Sequence, residues 1–276
     1  MVNSNDIRQA VRNLDLSNRP LCVHASLRSF GQVDGGAPTL IDALLAEGCT
    51  VLVPTFTYFF EVAPPLDERP PRNGIDYASS AGLMLGRIDR VFKPDSADLS
   101  REYMGVVPAT VLAHPGHVRG DHPLNSFSAV GPLAKQLIRG QTPKDVYAPL
   151  TALARAGGSV VMMGVGLERM TLLHLAEHQA GRNLFVRWAN GPDGQPMAAS
   201  VGSCSDGFGR FDGALAPIAR TEKVGESVWR VYPAANVLEL AAKAIRENPE
   251  ITHCDNPGCE RCNDAMQGGP ILSPRS

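Results

Sequence analysis

The segment Thr171-Leu-Leu-His174-Leu-Ala-Glu177-His178 carries two imidazoles and a carboxylate at helical spacing. A neutral imidazole takes up protons near physiological pH and is also a common metal ligand, so two chemistries are open here. In one, His174 is a general base. In the other, His174 and His178 hold zinc while Glu177 activates water, the H-x-x-E-H arrangement of a zinc-dependent peptidase. No distinctive downstream glutamate motif supplies that arrangement with a third ligand. The plainest alternative leaves His178 exposed and Glu177 in a surface pair.

The elements that must position His174 are legible around it. Ser159-Val-Val-Met-Met163 is a short apolar run of the kind buried in a sheet, and Gly164-Val-Gly166 follows as a tight turn that lacks the third glycine of a dinucleotide fingerprint. Thr171 then serves as a cap, with Leu172, Leu175, Ala176 and Gln179 at helical spacing. This order puts His174 where a helix begins beside a strand's carboxyl end, which is where open α/β sheets bind ligands.

Upstream, residues 5–14 read as a helix, Leu21-Cys-Val-His24 as a strand, 38–47 as a helix with Pro38 at its first position, and Val51-Leu-Val-Pro54 as a second strand. Strands apolar on both faces and alternating with helices predict a three-layer α/β/α fold with a central, largely parallel sheet. The stretch 63–73 holds Pro64, Pro65, Pro70 and Pro71 and reads as a long loop suited to a substrate lid. Helices are expected over 79–92, 104–113 (entered through Pro108), 130–139 and 234–246, with a polar segment over 114–126, a strand over Leu184–Trp188 and a turn over 191–196. Residues 1–250 are expected to form one domain, and 251–276 a cysteine-rich tail.

Three loops gather polar groups at strand ends. His24-Ala-Ser26-Leu-Arg28-Ser29-Phe-Gly31 offers amides and hydroxyls suited to phosphate or a developing oxyanion, and Pro54-Thr55-Phe-Thr57-Tyr58 lies at the end of the next strand. Arg119-Gly-Asp121-His122-Pro123-Leu-Asn125-Ser126-Phe127 is the third. Ordinary polar βα loops look similar, and Ser126 alternatively caps the helix after it. Of the six cysteines, Cys22 and Cys49 sit in or beside apolar strands as core residues, and Cys204 stands alone. Cys254, Cys259 and Cys262 have C-x4-C-x2-C spacing, and with His253 they would complete a tetrahedral structural Zn2+ site; free thiols in a flexible tail are the alternative.

Composition narrows the partners. A formal net charge of -2 without a clustered basic face argues against nucleic acid and anionic lipid, which leaves a small molecule. The first residues lack a charged region followed by an apolar core, and no apolar run nears the roughly 20 residues of a spanning helix, so a cytoplasmic protein with no membrane partner is expected. Exposed apolar helix faces would support a homodimer. There is no G-x-S-x-G elbow and no Walker loop.

In order, Val23-His-Ala-Ser-Leu-Arg-Ser-Phe-Gly31, Leu52-Val-Pro-Thr-Phe-Thr57, Met104-Gly-Val-Val-Pro108, His122-Pro-Leu-Asn-Ser-Phe-Ser-Ala-Val-Gly131, and Met163-Gly-Val-Gly through Thr171–Glu177 resemble the aminoglycoside 3-N-acetyltransferase (antibiotic N-acetyltransferase) family. The likeness spans about 21–180 and is weaker at Cys204-Ser-Asp206. It implies an α/β/α fold distinct from the common GNAT acetyltransferases and transfer of acetyl from acetyl-CoA to an aminoglycoside amine, the 3-amino group of 2-deoxystreptamine, which would make the protein an antibiotic-resistance enzyme. By that resemblance His174 is the catalytic base and Asp206 its supporting carboxylate. Ser26, Leu27, Arg28, Ser29, Phe30, Gly31, Thr55, Thr57, His122, Asn125, Ser126 and Phe127 are expected around the coenzyme. The family's glutamate after the proline of its M-G-x-x-P block is replaced here by Ala109, so the acceptor pocket is expected to differ.

A protonated amine must lose a proton before or during its attack on a thioester, which is the work expected of His174. Amides of the Ser26–Gly31 loop or the Thr55/Thr57 region would steady the oxyanion. Asp34, Glu61, Asp67, Glu68 and Asp76 would attract a polycation, while Arg28 and Arg119 would face the coenzyme's phosphates. A non-antibiotic amine as acceptor, or a member of the fold that binds coenzyme without turnover, are the further alternatives.

Overall fold

Three apolar strands, adjacent in the sheet and buried on both faces, form the centre of the structure. In the computed structural model, which describes residues 1–78 and 90–272, these are β1 (Pro20–Ala25), β2 (Thr50–Pro54) and β6 (Ser159–Met163). They are parallel, in the order β2-β1-β6. The connections hold α1 (Ser4–Asn13) before β1, α2 (Gly36–Ala46), a short β3 (Glu61–Val62), α3 (Arg101–Met104) and α4 (Val106–Ala113). They continue through β4 (Val118–Arg119), β5 (Phe127–Val130), α5 (Ala134–Ile138) and α6 (Ala148–Arg155). After β6 come α7 (Leu172–Gln179), β7 (Phe185–Asn190), β8 (Pro196–Val201), α8 (Asp212–Leu215), β9 (Arg220–Val224), β10 (Ser227–Pro233), α9 (Ala234–Glu247) and α10 (Glu260–Met266).

Side chains alternate across a strand, so each central strand feeds two cores. Leu21, Val23, Val51, Val53, Val161 and Met163 face α1, α2 and α4; Cys22, Leu52, Val160 and Met162 face α5, α6, α7 and α9. The three-layer α/β/α expectation holds, and each large side chain fully buried in these layers contributes about 1.5–3 kcal/mol. The parallel centre is flanked by antiparallel strands, giving the seven-stranded order β4-β5-β2-β1-β6-β10-β9. A separate antiparallel sheet, β3-β7-β8, stands beside it, and the strand expected over 184–188 belongs there as β7.

Local differences have simple causes. The helix expected from Val130 is preceded by a strand, because Gly131 at φ 116° turns the chain out of β5 and α5 starts only at Ala134. The helix expected over 104–113 breaks at Gly105 (φ 76°) into α3 and α4. The helix expected over 79–92 lies mostly outside the described residues. Residues 251–272 pack onto the rest of the fold, with α10 inserting Cys262 and Ala265 into buried positions. Among the described residues no helix is long and apolar enough to cross a membrane.

Candidate active site

Parallel pairing brings the loops after β1, β2 and β6 to one edge of the sheet. That edge opens into a cavity of about 1150 Å³ whose lining includes His24, Ser26, Leu27, Arg28, Asn125, Tyr147, His174 and the segment 201–206. Four carboxylates line it, Glu61, Glu102, Glu168 and Asp206, together with the guanidiniums of Arg28, Arg101, Arg169, Arg187 and Arg261.

His174 enters this cavity from the first turn of α7 and is 9% exposed. Its Nδ1 lies 3.0 Å from Glu177 Oε2, one helical turn along the same face. An ionised carboxylate only accepts, so Nδ1 carries the proton and Nε2 keeps its lone pair. Ser203 Oγ also donates to Glu177 Oε2, and Arg182 Nη1 donates to Oε1 at 2.8 Å. Arg182 is itself fixed by Thr252 Oγ1 and the Pro249 carbonyl, both at 2.7 Å. Glu177 is thus a buried carboxylate, 3% exposed, neutralised by a buried guanidinium.

The ring is gripped on its faces as well as at Nδ1. Tyr147 stacks on it at 6.1 Å between centroids and 11° between planes, and Phe208 packs against it at 4.8 Å. Gly202 closes the remaining side, where an added Cβ would stand 2.6 Å from His174 Cγ and 2.5 Å from the Tyr147 hydroxyl. Gly202→Ala is therefore expected to displace the imidazole and lower turnover about 10–100-fold, with a smaller change in melting temperature. Steady-state kinetics beside thermal denaturation check this; equal activity would show that the ring tolerates the push.

The remaining expected site residues divide sharply. Ser26, Leu27, Arg28 and Asn125 line the cavity. Ser29 instead bonds Ser227 and the Ser26 carbonyl, Phe30 and Phe127 are core, and Gly31 makes the turn at φ 76°. The Thr55 and Thr57 amides donate to the carbonyls of Ser126 and Leu124, and their hydroxyls to those of Ser126 and Pro123, which removes both residues as oxyanion donors. Ser126 bonds the Thr55 carbonyl and caps no helix. Arg119 is 7% exposed, with its nitrogens on Ser126 Oγ and the carbonyls of Ser96 and Thr55, so it braces loops and does not face a ligand. Of the five acidic residues expected to attract a cation, Glu61 lines the cavity, where burial raises its pKa despite Arg187 at 3.4 Å. Glu68 holds the indole of Trp188, and Asp34 lies in a different hollow with Asn3 and Thr39.

His122 is fully buried, with Nδ1 accepting from the amides of Leu124 and Asn125 and Nε2 donating to the Ser200 carbonyl. It shapes the loop that presents Asn125. Burial pushes its pKa down to about 4. An unfolded histidine titrates near 6.5, so stability gained from the neutral ring is complete above that pH and is lost as pH falls towards 4, about 3 kcal/mol in all. Urea denaturation at a series of pH values is expected to show this decline, and His122→Asn to flatten it.

Further expectations are corrected by the geometry. Asp206 lines the cavity but makes no hydrogen bond to His174; Glu177 does, and it is buried, not part of a surface pair. The zinc-peptidase arrangement also fails, because Glu177 is occupied by Arg182, His174 and Ser203 while exposed His178 turns Nδ1 to the Arg182 carbonyl. His253 likewise leaves the proposed tail cluster: its two nitrogens meet the Cys254 carbonyl and Asn263 Oδ1, both acceptors, and these bonds raise its pKa. The fourth residue gathered with Cys254, Cys259 and Cys262 is Cys204. Sequence reasoning missed Tyr147, Arg182, Gly202 and Ser203; only the i, i+3 spacing of His174 and Glu177 signalled any part of this arrangement.

Fold and site together define a three-layer α/β/α protein with a histidine–carboxylate pair at the ligand edge of its sheet. The chain belongs to the family described as aminoglycoside 3-N-acetyltransferase, whose profile matches residues 22–246. Aminoglycoside N(3)-acetyltransferase VIII of Streptomyces fradiae is 35% identical over 164 residues, 57% of this chain and 54% of the relative. The type IX enzyme of Micromonospora chalcea is 30% identical over 179 residues, 62% of this chain and 60% of the relative. The matched region therefore spans little more than half the length of these curated relatives. Over the whole fold, the structure of a mutant of aminoglycoside acetyltransferase AAC(3)-IVa in complex with a gentamicin superposes with a TM-score of 0.75 at 25% identity, covering 97% of each chain.

Proposed function

We propose that this protein transfers acetyl from acetyl-CoA to an aminoglycoside amine, the 3-amino group of the 2-deoxystreptamine ring, by direct attack with His174 as base. The observation that carries this reading is the state of His174: Nδ1 is tied to Glu177, the ring lines a large cavity, and Nε2 is the nitrogen left for substrate. The acceptor ammonium yields one proton to solvent on becoming a free amine. As its nitrogen bonds to the thioester carbon, the second proton passes to Nε2 and then to the departing coenzyme thiolate. The products are the amide and the free thiol. Glu177 holds the tautomer throughout and balances the imidazolium while it lasts.

On this reading Ser26, Leu27, Arg28 and Asn125 meet the coenzyme, and the backbone amides of Leu27 and Arg28 steady the oxyanion, the Ser26 amide being bonded to the Met163 carbonyl. The other residues expected there keep those loops in shape. Glu61, Glu102, Glu168 and Asp206 supply the negative lining that a polycationic acceptor needs. The family membership and the gentamicin complex of the similar structure support the acceptor class. Acetyl-CoA as donor and six cysteines outside any disulfide fit a cytoplasmic enzyme.

The test is a coupled thiol-release assay with acetyl-CoA across 2-deoxystreptamine aminoglycosides and simple amines, with the product's acetylated position read by NMR. Acetylation at the 3-amino group of at least one aminoglycoside is expected. Turnover only on simple amines would move the acceptor outside the antibiotics, and binding of coenzyme with no thiol release from any amine would overturn the reading.

A further inference from the structure

We propose that Cys204, Cys254, Cys259 and Cys262 bind one zinc ion, and that this ion clamps the 202–206 segment beside His174 to the carboxyl-terminal part of the chain. The proposal rests on the acetyl-transfer reading only for the value of that clamp, since metal binding is measured without turnover.

Four sulfur atoms from two distant stretches of chain lie within 4.8 Å of one another. A tetrahedral zinc site with Zn–S bonds of about 2.3 Å sets its sulfurs about 3.8 Å apart, so small inward movements complete the shell. A backbone amide points into the cluster as amides do around metal-bound thiolates: that of Cys254 donates to Cys262 Sγ at 3.4 Å. Four thiolates leave no open coordination position, which makes the ion a structural one.

The placement of Cys204 gives the ion its consequence. It follows Gly202, which presses on the imidazole, and Ser203, which bonds Glu177. Gly207 then lies against the carbonyls of Thr252 and His253, where an added Cβ would collide with both. The other three ligands flank or belong to α10, whose Asp264 and Glu260 accept from the amides of Gly74 and Asp76 and whose Arg261 lines the cavity. One ion thereby joins the segment supporting the base to the helix that carries a wall of the cavity.

The full-length protein, purified from zinc-supplemented cells under reducing conditions, is expected to hold one zinc per chain. Cobalt substituted for zinc should show thiolate-to-metal charge transfer and tetrahedral visible bands. Cys204→Ser should weaken zinc by more than the ~10–100-fold typical of losing an outer-shell partner, while His253→Ala changes it by less than about tenfold. Should Cys204→Ser fail to fold, chelator-stripped wild type serves instead: its amides over 202–206 are expected to exchange at least about tenfold faster than in the zinc form, with far-ultraviolet circular dichroism retained. A kcat lowered more than KM on stripping, restored by zinc, would follow from the clamp's effect on the base. Zinc held equally well by Cys204→Ser, loss of zinc in His253→Ala, disulfides in place of metal, or exchange unchanged on stripping would each overturn the proposal.

Discussion

His174→Ala is expected to lower kcat for aminoglycoside acetylation by about 10²–10⁴-fold while leaving acetyl-CoA affinity within a small factor, because a general base acts on the moving proton and not on the bound thioester. The reason is specific to this site. Nδ1 is occupied by Glu177, the ring is held between Tyr147 and Phe208, and among the described residues no second imidazole lines the cavity except His24, whose pKa burial and Arg169 push down to about 4. A base that weak cannot take over the proton at neutral pH. The measurement is steady-state thiol release with coenzyme binding followed by calorimetry. Unchanged turnover would remove His174 from the mechanism, and loss of coenzyme binding alone would make it a binding residue.

Glu177→Gln has the second large effect. The amide keeps the size of the side chain, yet its nitrogen can donate to Nδ1 and so stabilise the tautomer that places the proton on Nε2, where it blocks the chemistry. A fall in kcat of at least about 10²-fold is expected, with the KM for acetyl-CoA little changed. The same exchange leaves the Arg182 guanidinium buried beside a neutral group. Breaking a buried ion pair from one side commonly costs about 3–5 kcal/mol; the bonds from Arg182 to Thr252 and Pro249 remain and hold the cost near the lower figure. Chemical denaturation of the variant tests this, and Arg182→Ala should be at least as destabilised. A variant that loses stability but keeps its kcat would make Glu177 a purely structural anchor.

The central strands were legible because β1, β2 and β6 are apolar on both faces, a pattern that burial within a parallel sheet imposes. The antiparallel flanks were not. β9, Arg220-Thr-Glu-Lys-Val224, is half exposed at a sheet edge and carries charge at three of its five positions, so its sequence reads as loop. β5 is four residues long and includes Ser128 and Ala129, too little for a periodic signal. In the site, His174 was legible from the order strand, glycine turn, helix. The role of Glu177 was hidden because its burial depends on Arg182 and Ser203, 5 and 26 residues away, and on Thr252, a further 70 beyond Arg182. The C-x4-C-x2-C spacing announced three of the clustered cysteines, whereas Cys204 joins them only through the tertiary fold.

The cavity takes its walls from separate pieces of chain: Glu61 at the small sheet, Glu102 and Tyr103 on α3, and the base on α7. The base and its supports are anchored in the layer between β6 and α9, whereas α3 is a single turn ending at Gly105. On the acetyl-transfer reading, selection for a new acceptor can thus work on one part of the protein without disturbing the other. A mutant library restricted to Glu61, Glu102 and Tyr103 would therefore be the economical place to evolve a changed range of amines, since those positions redraw the pocket's outline while the proton-transfer apparatus is inherited intact.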